Sequence, residues 1–316
     1  MTNDKTMTEK PVIIIEGKPD AIPGQPIGEC PIMTIEESDN DVEVGKPKRS
    51  RWLVTLVMAT VTLAVGISLL GGLMAYKYFF DFGVPIGTSP AENIAKLERG
   101  VIAGTAPAEV MVTGDSILGV AMNFYRLSGF KAEIAMSLPD TADRNVVLCT
   151  RCSDYTTSGK YLGSLVVDGK SLGTDRSRAG YCAMANGNVV IGVSRSEKVK
   201  DYCAERGGAF FRQFVLVSDG VLPTHFVLHG KVERRALGRM ADDSLYLIET
   251  RHKETLWDFA DALREYGFVD AIYLTGGASR SWYRMANGES HDLGCDEEET
   301  PRNVTTPVPW LVFKKK

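Results

Sequence analysis

The sequence predicts an α+β protein: a mixed β-sheet with packed helices, tethered to a membrane by one N-terminal transmembrane helix. Three observations predict it. A long uncharged apolar run lies near the N-terminus. Short β-branched runs bounded by Gly, Asn, Asp or Ser fill the chain after about Val110, and one amphipathic helix lies between two of them. The chain then divides into a tail over 1–51, a membrane helix over 52–76, a spacer with a short helix over 77–108 and a folded domain over 109–316.

The tail holds six prolines, many acids and one apolar patch, Val12–Ile15. Such a stretch buries too little apolar surface to offset the entropy of ordering, so a solvated, disordered cytoplasmic tail is expected. Leu53 to Ala75 then gives 23 consecutive uncharged residues. As a helix this run is about 35 Å long, enough to cross a bilayer core. Lys46, Lys48, Arg49 and Arg51 precede it, whereas Lys77 stands alone after it and is followed by Asp81. That bias places the N-terminus in the cytoplasm and the following domain in the periplasm or outside the cell. Trp52, Tyr76 and Tyr78 suit the two membrane interfaces.

In the spacer, Ser89-Pro90-Ala91-Glu92 is a capping box with Pro at the first helical position, and Gly100 is a stop. A short helix over Pro90–Arg99 follows from it. Within the domain, "NVVLC", "GSLVVDG", "NVVIGVS", "QFVLVSDG" and "SLYLIET" read as strands. "MANGN" at Met184–Asn188 puts Asn-Gly between two strands and predicts a hairpin, and "MANGE" at Met285–Glu289 repeats that chemistry. Thr255-Leu256-Trp257-Asp258 is a second capping box, closed by Gly267, with Leu256, Phe259, Ala260 and Leu263 on one face. With "SLYLIET" before it and "DAIYL" after it, this helix makes a strand–helix–strand unit. The second strand ends in Thr275-Gly276-Gly277, and ligands tend to bind at such strand ends.

Composition narrows the function. A net charge of −4 and the lack of an aromatic-interleaved basic patch argue against nucleic acid as a partner. The four histidines, His225, His229, His252 and His291, have no metal-ligand spacing, so neither metal nor other cofactor is expected. His225 and His229 would share a face if "HFVLH" were a strand. Five of the six cysteines follow the apolar run, an odd number for pairing. Cys149 and Cys152 form a lone CxxC, read as buried and structural rather than as a redox or zinc site.

Glu233–Arg284, "ERRALGRMADDSLYLIETRHKETLWDFADALREYGFVDAIYLTGGASRSWYR", resembles the core of the phosphodiester glycosidase domain family. That family includes an enzyme that removes N-acetylglucosamine from a phosphodiester-linked sugar. In the family an Arg-Thr-x-x-Gly segment leads one strand and Leu-Asp-Gly-Gly-Gly-Ser ends another. Here Arg235-Ala236-Leu237-Gly238 and Leu274-Thr275-Gly276-Gly277-Ala278-Ser279 stand at those places. "GSLVVDGK" and "TPVPWLVF" resemble an early strand and the closing strand, so the likeness spans about Asn145 to Phe313. The polar identities differ. Thr275 replaces the family's Asp, Ala236 replaces its Thr, and Arg151–Tyr155 lies where the family has Asn-Gly-Gly-aromatic-Phe.

Taken with the apolar span and its flanking charges, the resemblance implies a membrane-anchored, outward-facing protein that acts on or binds sugar phosphodiesters of envelope or exported glycans. The substrate-binding candidates are Arg235, Thr275, Gly276, Gly277, Ser279 and Arg280, with Arg284 a further cation. The glycines would offer N–H groups as an anion nest, and the arginines charge-assisted contacts. Hydrolysis needs an acid or base, which threonine cannot supply. Asp154, Asp219, Asp270 and the histidines are the candidates, and no spacing selects one; Asp270, at the start of a strand, is read as exposed or as a helix–strand turn residue. From the turn alone, the loop is expected to bind and to catalyse poorly, with Thr275→Asp restoring rate. A non-catalytic glycan or sugar-phosphate module and a structural envelope protein are the alternatives. A carboxylate near Gly276 in the folded cleft would favour the enzyme.

Overall fold

The computed structural model describes residues 51–81, 83–84, 87–99, 109–174, 177–226, 228–277, 279–293 and 306–315. The tail over 1–50, the Gly100 stop, Ala278 and the cysteines Cys30 and Cys295 lie outside the described residues. Two compact units are present, Met1–Val57 and Met58–Lys316. In the first, residues 51–57 are described and are helical. They begin α1, Arg51–Tyr76, which runs into a π-helical turn at Lys77–Asp81. Arg51–Phe79 is one helix long and apolar enough to cross a membrane, with none of its most apolar stretch buried in protein.

Three short helices and sixteen strands follow among the described residues. The helices are α2 (Pro90–Glu98), α3 (Lys198–Glu205) and α4 (Leu256–Tyr266). One six-stranded sheet contains β1 (Glu109–Ile117), β2 (Val120–Ser128), β10 (Val215–Ser218), β11 (Arg235–Met240), β12 (Leu245–Thr250) and β13 (Phe268–Leu274), in the order β1-β2-β12-β11-β13-β10. A second contains β3 (Phe130–Ala135), β4 (Val146–Arg151), β14 (Ser281–Arg284), β15 (Ser290–Leu293) and β16 (Trp310–Lys315), ordered β15-β14-β4-β16-β3. The third contains β5 (Ser164–Val167), β6 (Lys170–Thr174), β7 (Gly180–Ala185), β8 (Asn188–Val193) and β9 (Ala209–Gln213), ordered β6-β5-β9-β7-β8.

The α+β class stands, but the single mixed sheet is replaced by three sheets, and every registered pairing among the described residues is antiparallel. The strand–helix–strand unit shows why. β11 inserts between β12 and β13 and runs antiparallel to both, so the two strands joined by α4 never pair.

Local chemistry accounts for the element ends. Asn186 and Gly187 take positive φ (53° and 79°) in the turn joining β7 and β8, as a twisted two-residue hairpin requires. The Asp258 N–H donates to the Thr255 hydroxyl (3.0 Å), and Gly267 closes α4 at φ 108°. Leu256, Phe259, Ala260 and Leu263 are all fully buried, so the i, i+3, i+4, i+7 face packs as its spacing dictates. They join Phe124, Ile248 and Phe268 on one face of the first sheet. At roughly 1.5–3 kcal/mol per buried large apolar side chain, this face is what holds α4 in place.

A larger core draws residues from all three sheets, among them Tyr125, Leu148, Leu165, Phe211, Ile272 and Phe313. Cys152 and Cys182 belong to it, and Cys149 is also fully buried. Burial pushes the Cys152 and Cys182 thiols well up, as suits packing rather than redox chemistry. On the outer face of the third sheet, Leu97 of α2 and Val199 of α3 pack with Tyr181 and Phe210. The Asn93 side-chain amide donates to the Tyr181 hydroxyl (2.6 Å), which docks the spacer's helix onto the sheet.

Candidate active site

The site forms where strand ends from the three sheets converge. β13 delivers Thr275, Gly276 and Gly277 at its C-terminal end. β4 delivers Arg151, and the loop after it delivers Asp154 and Tyr155. With Val232 and Tyr273 these residues line an open cleft of about 340 Å³. β9 ends at Gln213, directly behind Asp154.

The turn's shape depends on its glycines. A Cβ at Gly276 would lie 2.5 Å from both the Glu233 carbonyl oxygen and the Tyr273 hydroxyl, and Gly277 takes φ 68°. Both amides have protein acceptors. The Gly277 N–H donates to the Glu233 carbonyl (2.7 Å), and the Gly276 N–H faces the Tyr273 phenol oxygen. The glycines therefore bring the backbone close to β11's approach segment rather than holding an open anion nest. Burial pushes the Tyr273 phenol up, against the opposing pull of the Arg234 guanidinium, so it stays neutral in the cleft wall.

Asp154 is the carboxylate of the cleft. The Thr275 hydroxyl donates to its Oδ1 (2.8 Å), the Gln213 Nε2 donates to its Oδ2 (3.0 Å), and Arg178 stands 3.7 Å from Oδ2. The carboxylate that meets position 275 thus comes from 121 residues earlier in the chain. Arg151, whose residue is almost fully buried, brings a cation to the cleft wall.

Behind the turn lies a buried polar layer. The Arg235 side chain donates to Glu249, to the Ser279 hydroxyl and to the Thr275 carbonyl (Nη1 to O, 3.2 Å). Glu249 also accepts from the Ser281 hydroxyl (2.6 Å) and the Tyr125 hydroxyl (3.1 Å). Burial and then the neighbouring Glu249 charge push the Tyr125 phenol well up, so it remains a donor. Arg235 and Ser279 grip the turn from inside, both buried.

Of the sequence candidates, Thr275, Gly276 and Gly277 line the cleft. Arg235 and Ser279 support it, while Arg280 binds Asp292 on β15 (Nε to Oδ1, 2.9 Å). Arg284 donates to the carbonyls of Asp143 (3.2 Å) and Thr141 at a different cleft. Asp270 is a correction. It is buried rather than exposed, accepting from the Arg239 Nε (3.1 Å) and the Asp219 N–H (3.2 Å). "HFVLH" forms no strand among its described residues. His225 instead bonds the Tyr78 carbonyl (2.7 Å), and His229 is exposed. Glu249, Gln213 and Arg178 escaped the sequence reading. A glutamate inside the apolar strand "LYLIET" was the signal for the first, and the other two carried none.

The fold and cleft define a class: an α+β domain whose cleft, at a glycine turn, is lined among the described residues by one carboxylate and one arginine. The family model for phosphodiester glycosidase matches residues 145–309, over half of the chain. The chain belongs to the phosphodiester glycosidase family. Among solved structures it is similar to the catalytic domain of zebrafish N-acetylglucosamine-1-phosphodiester alpha-N-acetylglucosaminidase, auto-inhibited by its pro-peptide. That match has 15% identity and a TM-score of 0.49, covering 69% of this chain and 87% of the other. A hypothetical protein from Synechocystis matches at 9% identity and a TM-score of 0.39, covering 64% and 61%. No curated protein matches.

Proposed function

We propose that this chain is a membrane-anchored, outward-facing hydrolase of sugar phosphodiesters in envelope or exported glycans, with Asp154 as its general base. The observation that carries the proposal is the Asp154 carboxylate in the cleft, 2.8 Å from the Thr275 hydroxyl. In the reaction, water adds to the anomeric carbon and gives a proton to Asp154 Oδ1. The bond from that carbon to the phosphate oxygen breaks, and its electron pair leaves with the phosphomonoester. A phosphate stabilises that charge by itself, so one carboxylate suffices where an ordinary glycoside needs a second as acid. Arg151 supports the phosphate, since a guanidinium contacts phosphate oxygens through charge-assisted bonds. Tyr155 and Tyr273 offer ring surface to the sugar.

The test is release of free reducing sugar, with its matching phosphomonoester, from a sugar phosphodiester by the full chain in detergent. Release no faster than the buffer blank sinks the proposal. Thr275→Asp now has the opposite expectation from the one drawn from the turn alone. It sets a second carboxylate against Asp154, and two carboxylates in contact share a proton. Turnover near neutral pH should fall about 10-fold or more and recover as pH rises and that proton leaves. A faster Thr275→Asp enzyme at neutral pH would instead mean that the wild-type site lacks its base.

The anchoring part of the proposal is supported by the Arg51–Phe79 helix and the cations before it. Protease added to intact cells should degrade the domain after residue 109 and leave a protected fragment containing the helix. Full protection of the domain would reverse the orientation.

A further inference from the structure

We infer that Gln213 and Arg178 are positioning residues that fix which oxygen of Asp154 works. The inference rests on the hydrolase reading of the same cleft. Gln213 is fully buried at the end of β9, where an amide side chain is costly unless its groups are bonded. Its Oε1 accepts from the Phe214 N–H (3.1 Å) and from Arg178 Nη1. Both partners are donors, so the amide has one orientation open to it, with Nε2 toward Asp154. Arg178 is itself held. Its guanidinium lies 4.1 Å from the centre of the Phe214 ring, and its side chain is 11% exposed.

The two oxygens of Asp154 therefore differ. Oδ2 faces inward, bonded by Gln213 Nε2 (3.0 Å) with Arg178 at 3.7 Å. Oδ1 accepts from the hydroxyl of Thr275 (2.8 Å), itself a residue of the cleft lining, and has lone-pair capacity left for a water. Oδ2 is the anchor and Oδ1 takes the proton. Neither Gln213 nor Arg178 lines the cleft, so each acts through Asp154 rather than on the sugar.

Gln213→Glu separates this from a packing role, because it keeps the shape and turns the donor into an acceptor. A glutamate there would share a proton with Asp154, so the rate profile should move to higher pH by about one unit or more, with kcat at neutral pH down about 10-fold or more. KM should stay near wild type, because the cleft lining is untouched. An unchanged profile in a folded Gln213→Glu protein overturns the inference. A second measurement is independent of turnover and of whether that variant folds. The chain has two glutamines, Gln25 and Gln213, so selective ¹⁵N-glutamine labelling gives two side-chain amide signals. Asp154→Ala should shift one of them and leave the other in place. If neither moves, Gln213 does not hold Asp154 and the inference fails. If one moves while the wild type releases no free sugar, the positioning pair stands and the hydrolase proposal is what fails.

Discussion

Asp154→Asn is expected to lower kcat on a sugar phosphodiester by about 10²–10⁴-fold, with KM close to wild type. The range is what a positioned proton-transfer group contributes, and among the described residues Asp154 is the carboxylate lining the cleft. Asparagine keeps the size and still accepts from Thr275, but it cannot take a proton from water. On the proposed reading binding rests on Arg151, the tyrosines and the turn, and asparagine keeps the contact with Thr275, so the loss should fall on kcat. The Asp154 side chain is 30% exposed, so water can relieve the new mismatch with Gln213 Nε2 and the fold should tolerate it. Steady-state kinetics beside a thermal melt make the check. Wild-type kcat in Asp154→Asn would remove Asp154 from the chemistry.

Glu249→Ala should be the most destabilising single change near the site, by about 3–5 kcal/mol, because it strands a buried guanidinium. The Arg235 side chain is 6% exposed, and Glu249 is its carboxylate partner. The Ser281 and Tyr125 hydroxyls would lose their acceptor as well. At about 2–4 °C per kcal/mol for a domain of this size, the melting temperature should fall by roughly 10 °C. The pair itself is a different matter, since desolvating two charges costs much of what their attraction returns. Arg235→Met combined with Glu249→Leu should therefore recover most of the lost stability. It should not recover activity, because Arg235 also holds Ser279 and the Thr275 carbonyl in the turn. A Glu249→Ala melt within about 2 °C of wild type would show that water or another group already balances Arg235.

The elements of this chain were legible where one local interaction decides them. The Asn186-Gly187 hairpin, the Thr255 cap and the Gly267 stop each need only residues within four positions of one another. The buried face of α4 follows from spacing alone. The pairing of sheets was not legible in the same way. "SLYLIET" and "DAIYL" read as neighbours because a helix joins them, yet β11 enters from before both and separates them. Asp270 was misplaced for a related reason. A carboxylate at a strand start looks solvated until Arg239 is brought across from β11 to bury it.

The same division holds for the site. By itself the sequence determined the apolar span, the strand-rich domain, the glycine turn after β13 and the family to which that turn points. It also showed that Thr275 carries no ionisable group. That a carboxylate, Asp154, meets Thr275 was decided by the tertiary structure. Thr275 comes from the first sheet, Arg151 and Asp154 from β4 and the loop after it, and Gln213 from the third sheet, so no spacing along the chain relates them. Contacts across 121 and 59 residues depend on how three sheets close over one core. A hydrogen bond of about 3 Å is a condition on positions in space, and residue order constrains such positions only within a helix, a turn or a pair of adjacent strands.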